Sequence, residues 1–169
     1  KNGEKVVSDG KTLCFDMPKI NDALEKKVRS SFNLPMLSSS DFDVDYNGKR
    51  KCHVISLVDG QLLTDDLVSD IDFDCNNGID IEHDILKIAV IERHHNTGHI
   101  GNAFIKGIGL KEGAIASSVA HDSHNLIVIG TNTDDMAFAA NRIRELGGGI
   151  VSVKNGKVVA EMPLPIGGL

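Results

Sequence analysis

Five of the chain's seven histidines fall between Glu92 and Asn125, in a stretch crowded with glycines and small side chains. Imidazole is the side chain whose ordinary pKa lies nearest neutrality, and it is also the commonest metal ligand. Three uses are open to such a set. His94, His95 or His99 could join His121 and His124, with Glu92 or Asp122 as a carboxylate, to ligate a metal. The same groups could line a polar ligand pocket that another domain or subunit completes. Or they could pair with carboxylates and backbone groups and only hold loops in place.

The spacings match no sharp zinc signature: there is no HExxH, no paired CxxC and no HxE followed by PCxxC. Ser117-Ser118, close to His121 and Asp122, lacks the strand–turn–helix context of a nucleophile elbow. Gly98-His99-Ile100-Gly101 and Gly107-Ile108-Gly109 are only fragments of a dinucleotide fingerprint. Glu92 and Arg93 are equally readable as a buried ion pair, with each other or with their neighbours.

These residues must be positioned by elements the hydrophobic pattern defines. Ile85–Ile91 is almost wholly apolar and predicts a buried strand from which Glu92-Arg93-His94 emerges. Leu126–Gly130 predicts a second, directly after His124-Asn125. Asn132 or Thr133 caps a helix with Asp134 and Asp135 in its first turn and Met136, Ala139, Ala140, Ile143 and Leu146 on one face. Gly147-Gly148-Gly149 ends it. Two strands at 150–153 and 157–162 follow, joined by Asn155-Gly156, the strongest short hairpin signal.

Upstream, Lys51–Val58 reads as a strand and residues 61–84 as an acidic, turn-rich stretch. Ala114–Ala120 reads as a closely packed small-residue segment. The opening residues predict a hairpin around Ser8-Asp9-Gly10 whose second arm runs to Phe15. Ile20, Ala23, Leu24 and Val28 predict a short helix. Residues 30–43, with Pro35 and Ser38-Ser39-Ser40, look like a linker or surface loop. The sum is an α+β fold, a mainly antiparallel or mixed sheet packed with a few helices.

Composition narrows the function. A formal charge of −6 disfavours a nucleic-acid surface, which needs clustered Lys and Arg. No apolar stretch approaches the roughly 20 residues needed to span a bilayer, so no membrane partner is expected. Three widely spaced cysteines, Cys14, Cys52 and Cys75, fit buried free thiols in a reducing compartment. With no signal-peptide pattern at the start, the expected location is cytoplasmic.

Lys87–His94, Gly107–Leu110 and Gly113–Asn125, followed by Gly130-Thr131-Asn132, Asp134–Ala137, Gly147–Gly149 and Leu164–Leu169, resemble the C-terminal domain of bacterial and archaeal adenine deaminases. The likeness is dense from about residue 85 to the end, and the pairing of ERH with HDSHN is its specific part.

The resemblance implies an amidohydrolase-superfamily enzyme converting adenine and water to hypoxanthine and ammonia. Its catalytic centre, with a divalent metal (manganese or iron), would lie in a (β/α)8 barrel N-terminal to the matched region. A chain of 169 residues cannot hold a barrel of about 250 beside this domain. No catalytic residue and no metal are therefore expected in this chain, and in isolation it is expected to be inactive. The implied layout is a hairpin over 1–17 from a β-sandwich flanking the barrel, a short helix and linker over 18–40, and the C-terminal domain over 41–169.

Glu92, Arg93, His94, His121, Asp122, His124 and Asn125 are the candidates for closing or ordering the purine pocket. The expected partners are the barrel domain in cis or trans, adenine, and further copies of the same chain. The competing reading is a non-catalytic structural or oligomerisation module whose histidines only hold loops.

Overall fold

The computed structural model describes residues 3–13, 19–44 and 50–169. Its opening hairpin pairs β1 (Val7–Ser8) with β2 (Lys11–Thr12). Asp9 and Gly10 both have positive φ, the conformation a two-residue turn between twisted strands requires. The expected extension of the second arm through Cys14 and Phe15 lies outside the described residues. Helix α1 (Asp22–Arg29) follows, one turn later than the apolar spacing alone placed it. The delay has a local cause: Asn21 is the N-cap, its Oδ1 accepting from the Ala23 and Leu24 amides.

The main body is one eight-stranded sheet. Its strands are β3 (Lys51–Leu57), β4 (Thr64–Asp70), β5 (Ile85–Ile91), β6 (Ile100–Lys106), β7 (Ala114–Ser117), β8 (Leu126–Gly130), β9 (Gly149–Lys154) and β10 (Lys157–Pro163). Their spatial order is β10-β9-β7-β8-β5-β6-β3-β4. Every neighbouring pair is antiparallel except β3 with β6. With α2 (Thr133–Leu146) on one face, this is the α+β class expected.

One face carries the larger core. Ala89 and Ile91 of β5, Ala114 and Ala116 of β7, and Leu126 and Val128 of β8 meet Met136, Ala139, Ala140 and Ile143 of α2. The small residues of β7 let the helix approach closely. So does Gly130, where an added Cβ would lie 2.4 Å from Met136 Cγ. Asn132 caps α2 by accepting from the Asp135 amide, and Gly147, in the left-handed conformation, terminates it. The segment read as merely small-residue packing is thus an inner strand.

Two further expectations are corrected. Residues 64–70 form an edge strand paired along its whole length with β3, although Asp65, Asp66 and Asp70 made the segment look like turn. An edge strand shows its side chains to water and tolerates such charge.

Residues 30–43 are no surface loop either. Leu34, Leu37 and Phe42 are buried in the main core, so the segment is a strap laid over α2. Asn141 brackets the strap like a neighbouring strand, accepting from Leu37 N at 3.0 Å and donating to Leu37 O at 2.8 Å. Arg144 Nε donates to Leu34 O. Under the strap's far end, the buried Lys87 ammonium donates to Phe42 O at 2.6 Å. Burial pulls its pKa down, and Asp43 nearby opposes that.

Of the thiols expected to be buried, Cys52 is half-buried and Cys75 exposed, both free, while Cys14 lies outside the described residues. No described helix is long and apolar enough to cross a membrane.

Candidate functional site

Because β5 runs antiparallel to β8 with Ile91 opposite Leu126, the chain leaving β5 and the chain entering β8 emerge side by side. That register brings Glu92-Arg93-His94 against His121–Asn125, though they lie about thirty residues apart in sequence. The turn back from the first loop is fixed by Glu92 N donating to His99 O.

Glu92 and Arg93 do not pair with each other. The Glu92 carboxylate folds over its own loop, Oε1 accepting from the His94 and His95 amides and Oε2 from the Thr97 amide and hydroxyl. Burial alone would raise its pKa; the four donations outweigh it and hold the carboxyl at about 2. The loop therefore keeps its carboxylate-bound form at any pH above the unfolded value of roughly 4, losing it only as pH falls toward 2. Glu92→Ala is expected to speed amide exchange at His94, His95 and Thr97 about tenfold or more while sparing the β5 amides, readable by NMR.

Arg93 points the other way into the protein and is 2% exposed. Its Nε donates to His124 O at 2.6 Å and Nη1 to Gly167 O at 2.8 Å, and the guanidinium lies 5.0 Å from the Phe32 ring centroid. One side chain thus joins the ERH loop, the HDSHN loop, the C-terminal segment and the strap. Asn33 adds to the joint, its amide donating to Arg93 O and its side chain to His94 O. Gly168 packs against the guanidinium so closely that a Cβ there would sit 2.8 Å from Nη1.

Above this buried joint lies the polar cluster. His94 Nε2 donates to Ser123 O at 3.0 Å, tying the two loops directly. His121 and His124 meet edge to face with centroids 5.0 Å apart. His124 has a positive φ, and its Nδ1 is buried without a hydrogen-bond partner. His121 and Asp122 are exposed at the loop's outer turn, and Asn125 is half-buried where β8 begins.

No group of three His, Cys, Asp or Glu side chains converges on a metal-sized site among the described residues. Ser118 is buried, its hydroxyl donating to Gly168 O and accepting from Gly149 N. It is a structural knot, with no imidazole bonded to it. Gly107 and Gly109 belong to the β6–β7 connection, their amides donating to the Asp84 carboxylate, and no helix follows. Phe32 and Asn33 are supporting residues that local reading missed, and the structural parts played by Ser118 and Gly167-Gly168 were not read from their neighbours in sequence. The C-terminal glycine pair, after an apolar Leu-Pro-Ile, was the one available signal.

The fold and site together define an α+β sheet domain that presents a braced histidine cluster at one end. Residues 61–169 match the family model described as the adenine deaminase C-terminal domain. The chain belongs to that family. Among curated relatives it is 42% identical over 170 residues to adenine deaminase of Brucella anthropi, covering 99% of this chain and 30% of that protein. It is 41% identical over 172 residues to adenine deaminase of Lysinibacillus sphaericus, covering 100% and 29%, and 45% identical over 167 residues to adenine deaminase 1 of Rhizobium meliloti, covering 98% and 29%. The chain thus spans about three-tenths of the length of the relatives it matches.

Proposed function

We propose that this chain works as the C-terminal part of an adenine deaminase, hydrolysing adenine to hypoxanthine and ammonia, and that its histidine loops close or order the purine pocket. The single observation that carries this reading is the joint at Arg93. A buried cation holds two distant loops together so that exposed His121 and Asp122 lie beside half-buried His124 as one polar surface. A purine edge offers ring-nitrogen acceptors and an exocyclic amino donor, which such groups can match.

The metal that the family's chemistry implies, manganese or iron, does not fit the residues described here, since no three ligating side chains converge. The proposal therefore assigns the metal, the activated hydroxide and the proton-shuttling carboxylate to an amidohydrolase-type barrel outside these residues. The opening hairpin, in this view, belongs to the β-sandwich beside that barrel. What Glu92, Arg93, His94, His121, Asp122, His124 and Asn125 contribute is orientation and exclusion of water, not bond-making.

His121→Ala in a full-length deaminase carrying this sequence tests the reading. The side chain is exposed, so folding is not at stake. The expected result is a fall in kcat/KM of about tenfold, the effect of losing one polar contact to the substrate, with an unchanged Tm. Unaltered kcat and KM would remove the pocket role.

A further inference from the structure

The face of the sheet opposite α2 is apolar, yet only half of it is covered. Toward one end, Ile79, Leu86, Ile105 and Ile129 are buried, with Ile108 and Leu110 of the β6–β7 connection packed against them. Toward the histidine loops the described residues leave it largely open. Register places Met162, Ile150, Ser117, Ile127, Val90 and Gly101 in one row across six strands, a single residue inside the loops. Met162 is 57% exposed, Ile150 42% and Val90 38%. The next row inward, Ile115, Ile129 and Ile88, joins the covered cluster, Ile129 buried and its two neighbours half-buried. Neither row holds an Asp, Glu, Lys or Arg, although a quarter of the chain is charged.

An antiparallel sheet with one face in water alternates apolar with polar side chains; strands apolar on both faces are those covered on both. β5 and β8 are of the second kind, and α2 with the strap supplies only one cover.

We propose that this open half-face is where the rest of a full-length deaminase docks in cis. The inference rests on reading the chain as the C-terminal part of such an enzyme. Three observations select that occupant. The relatives carry some seven-tenths of their length outside the matched region, so a large partner is present on the same polypeptide. A tethered partner meets the face at high effective concentration, whereas a second copy must give up its translational freedom. And the row borders the ERH and HDSHN loops directly, so one body seated on it is placed against both the face and the candidate pocket groups.

Hydroxyl-radical footprinting of the full-length enzyme tests this, with Met162 as the reporter and the urea-unfolded enzyme as reference. An uncovered Met162 at 57% exposure reacts within about twofold of the unfolded rate; a docked one is expected to react at least about tenfold slower. A photo-crosslinker in place of Ile150, in oligomers mixed from light and heavy-isotope chains, then identifies the cover. Links within one chain to the polypeptide outside the matched region are expected. A reactive Met162, or links formed only between chains, overturns the proposal, the second pointing to a second copy. His121 lies in the loops and off this face, so a reactive Met162 beside a slowed His121→Ala enzyme would overturn the docking face and leave the pocket reading intact. A protected Met162 beside an unaffected His121→Ala enzyme would do the reverse.

Discussion

Arg93→Ala is expected to destabilise the fold by about 3 kcal/mol, lowering the Tm by roughly 6–12 °C for a domain of this size. The guanidinium makes two hydrogen bonds to carbonyls, at 2.6 and 2.8 Å, and faces the Phe32 ring. Hydrogen bonds from a charged donor are worth about 1.5–3 kcal/mol each, and a desolvated cation over an aromatic face about 2. Against that stands the cost of burying a charge with no carboxylate partner among the described residues; burial lowers its pKa, though never enough to discharge a guanidinium. Truncation removes that cost but strands His124 O and Gly167 O and leaves a void under Gly168.

Arg93→Lys is expected to recover little, because one ammonium cannot reproduce a planar fork that serves two carbonyls and stacks on a ring. Thermal melts of the three proteins check this. A loss below about 1 kcal/mol in Arg93→Ala would show that the joint is held by its neighbours instead.

Asp135→Asn is expected to cost about 2–3 kcal/mol. Asp135 is 3% exposed in the first turn of α2 and does more than favour the helix dipole. Oδ1 accepts from the Gly156 amide at 2.7 Å, and Oδ2 from the Asn155 amide and Asn132 Nδ2, both at 3.0 Å. It clamps the β9–β10 turn to the helix N-terminus. An amide has one acceptor oxygen, so its NH2 must face one of the three donors, leaving a buried N–H unpaired.

Burial by itself would raise the Asp135 pKa, but the Gly156, Asn132 and Asn155 donations outweigh it, and the net shift is downward. The folded pKa therefore lies below the unfolded value near 4. The resulting stability is fully present above that value and disappears as pH falls through the folded one. Urea titrations at pH 7 and pH 3 should show the wild type losing part of its advantage over Asp135→Asn at the lower pH. A gap that is constant across the two would rule out the carboxylate as its source.

These two residues mark where reading the chain stops. Strand β5, helix α2 and the Asn155-Gly156 hairpin are legible because their signals are local: six apolar residues out of seven, a capping Asn with apolar positions on one face, a turn dipeptide suited to positive φ. The partners of Asp135 and Arg93 are not. Gly156 is twenty-one residues from Asp135, and Gly167 is seventy-four from Arg93. Strand β4 was hidden by its carboxylates, which are harmless only because the strand lies at the sheet's edge. The strap was hidden by Pro35 and three serines, which mask the spacing of Leu34, Leu37 and Phe42.

The candidate site divides in the same way. Residue types alone marked ERH and HDSHN as the polar, titratable part of the chain, and their combination was specific enough to point to the right family. Nothing in the order of residues says that β5 and β8 are adjacent and antiparallel, and only that pairing sets His94 on Ser123 and Arg93 beneath His124. Local composition determines what each segment can become, because backbone propensity and burial act over a few residues. Which segments meet is decided by burying all the apolar faces at once, a condition on the whole molecule.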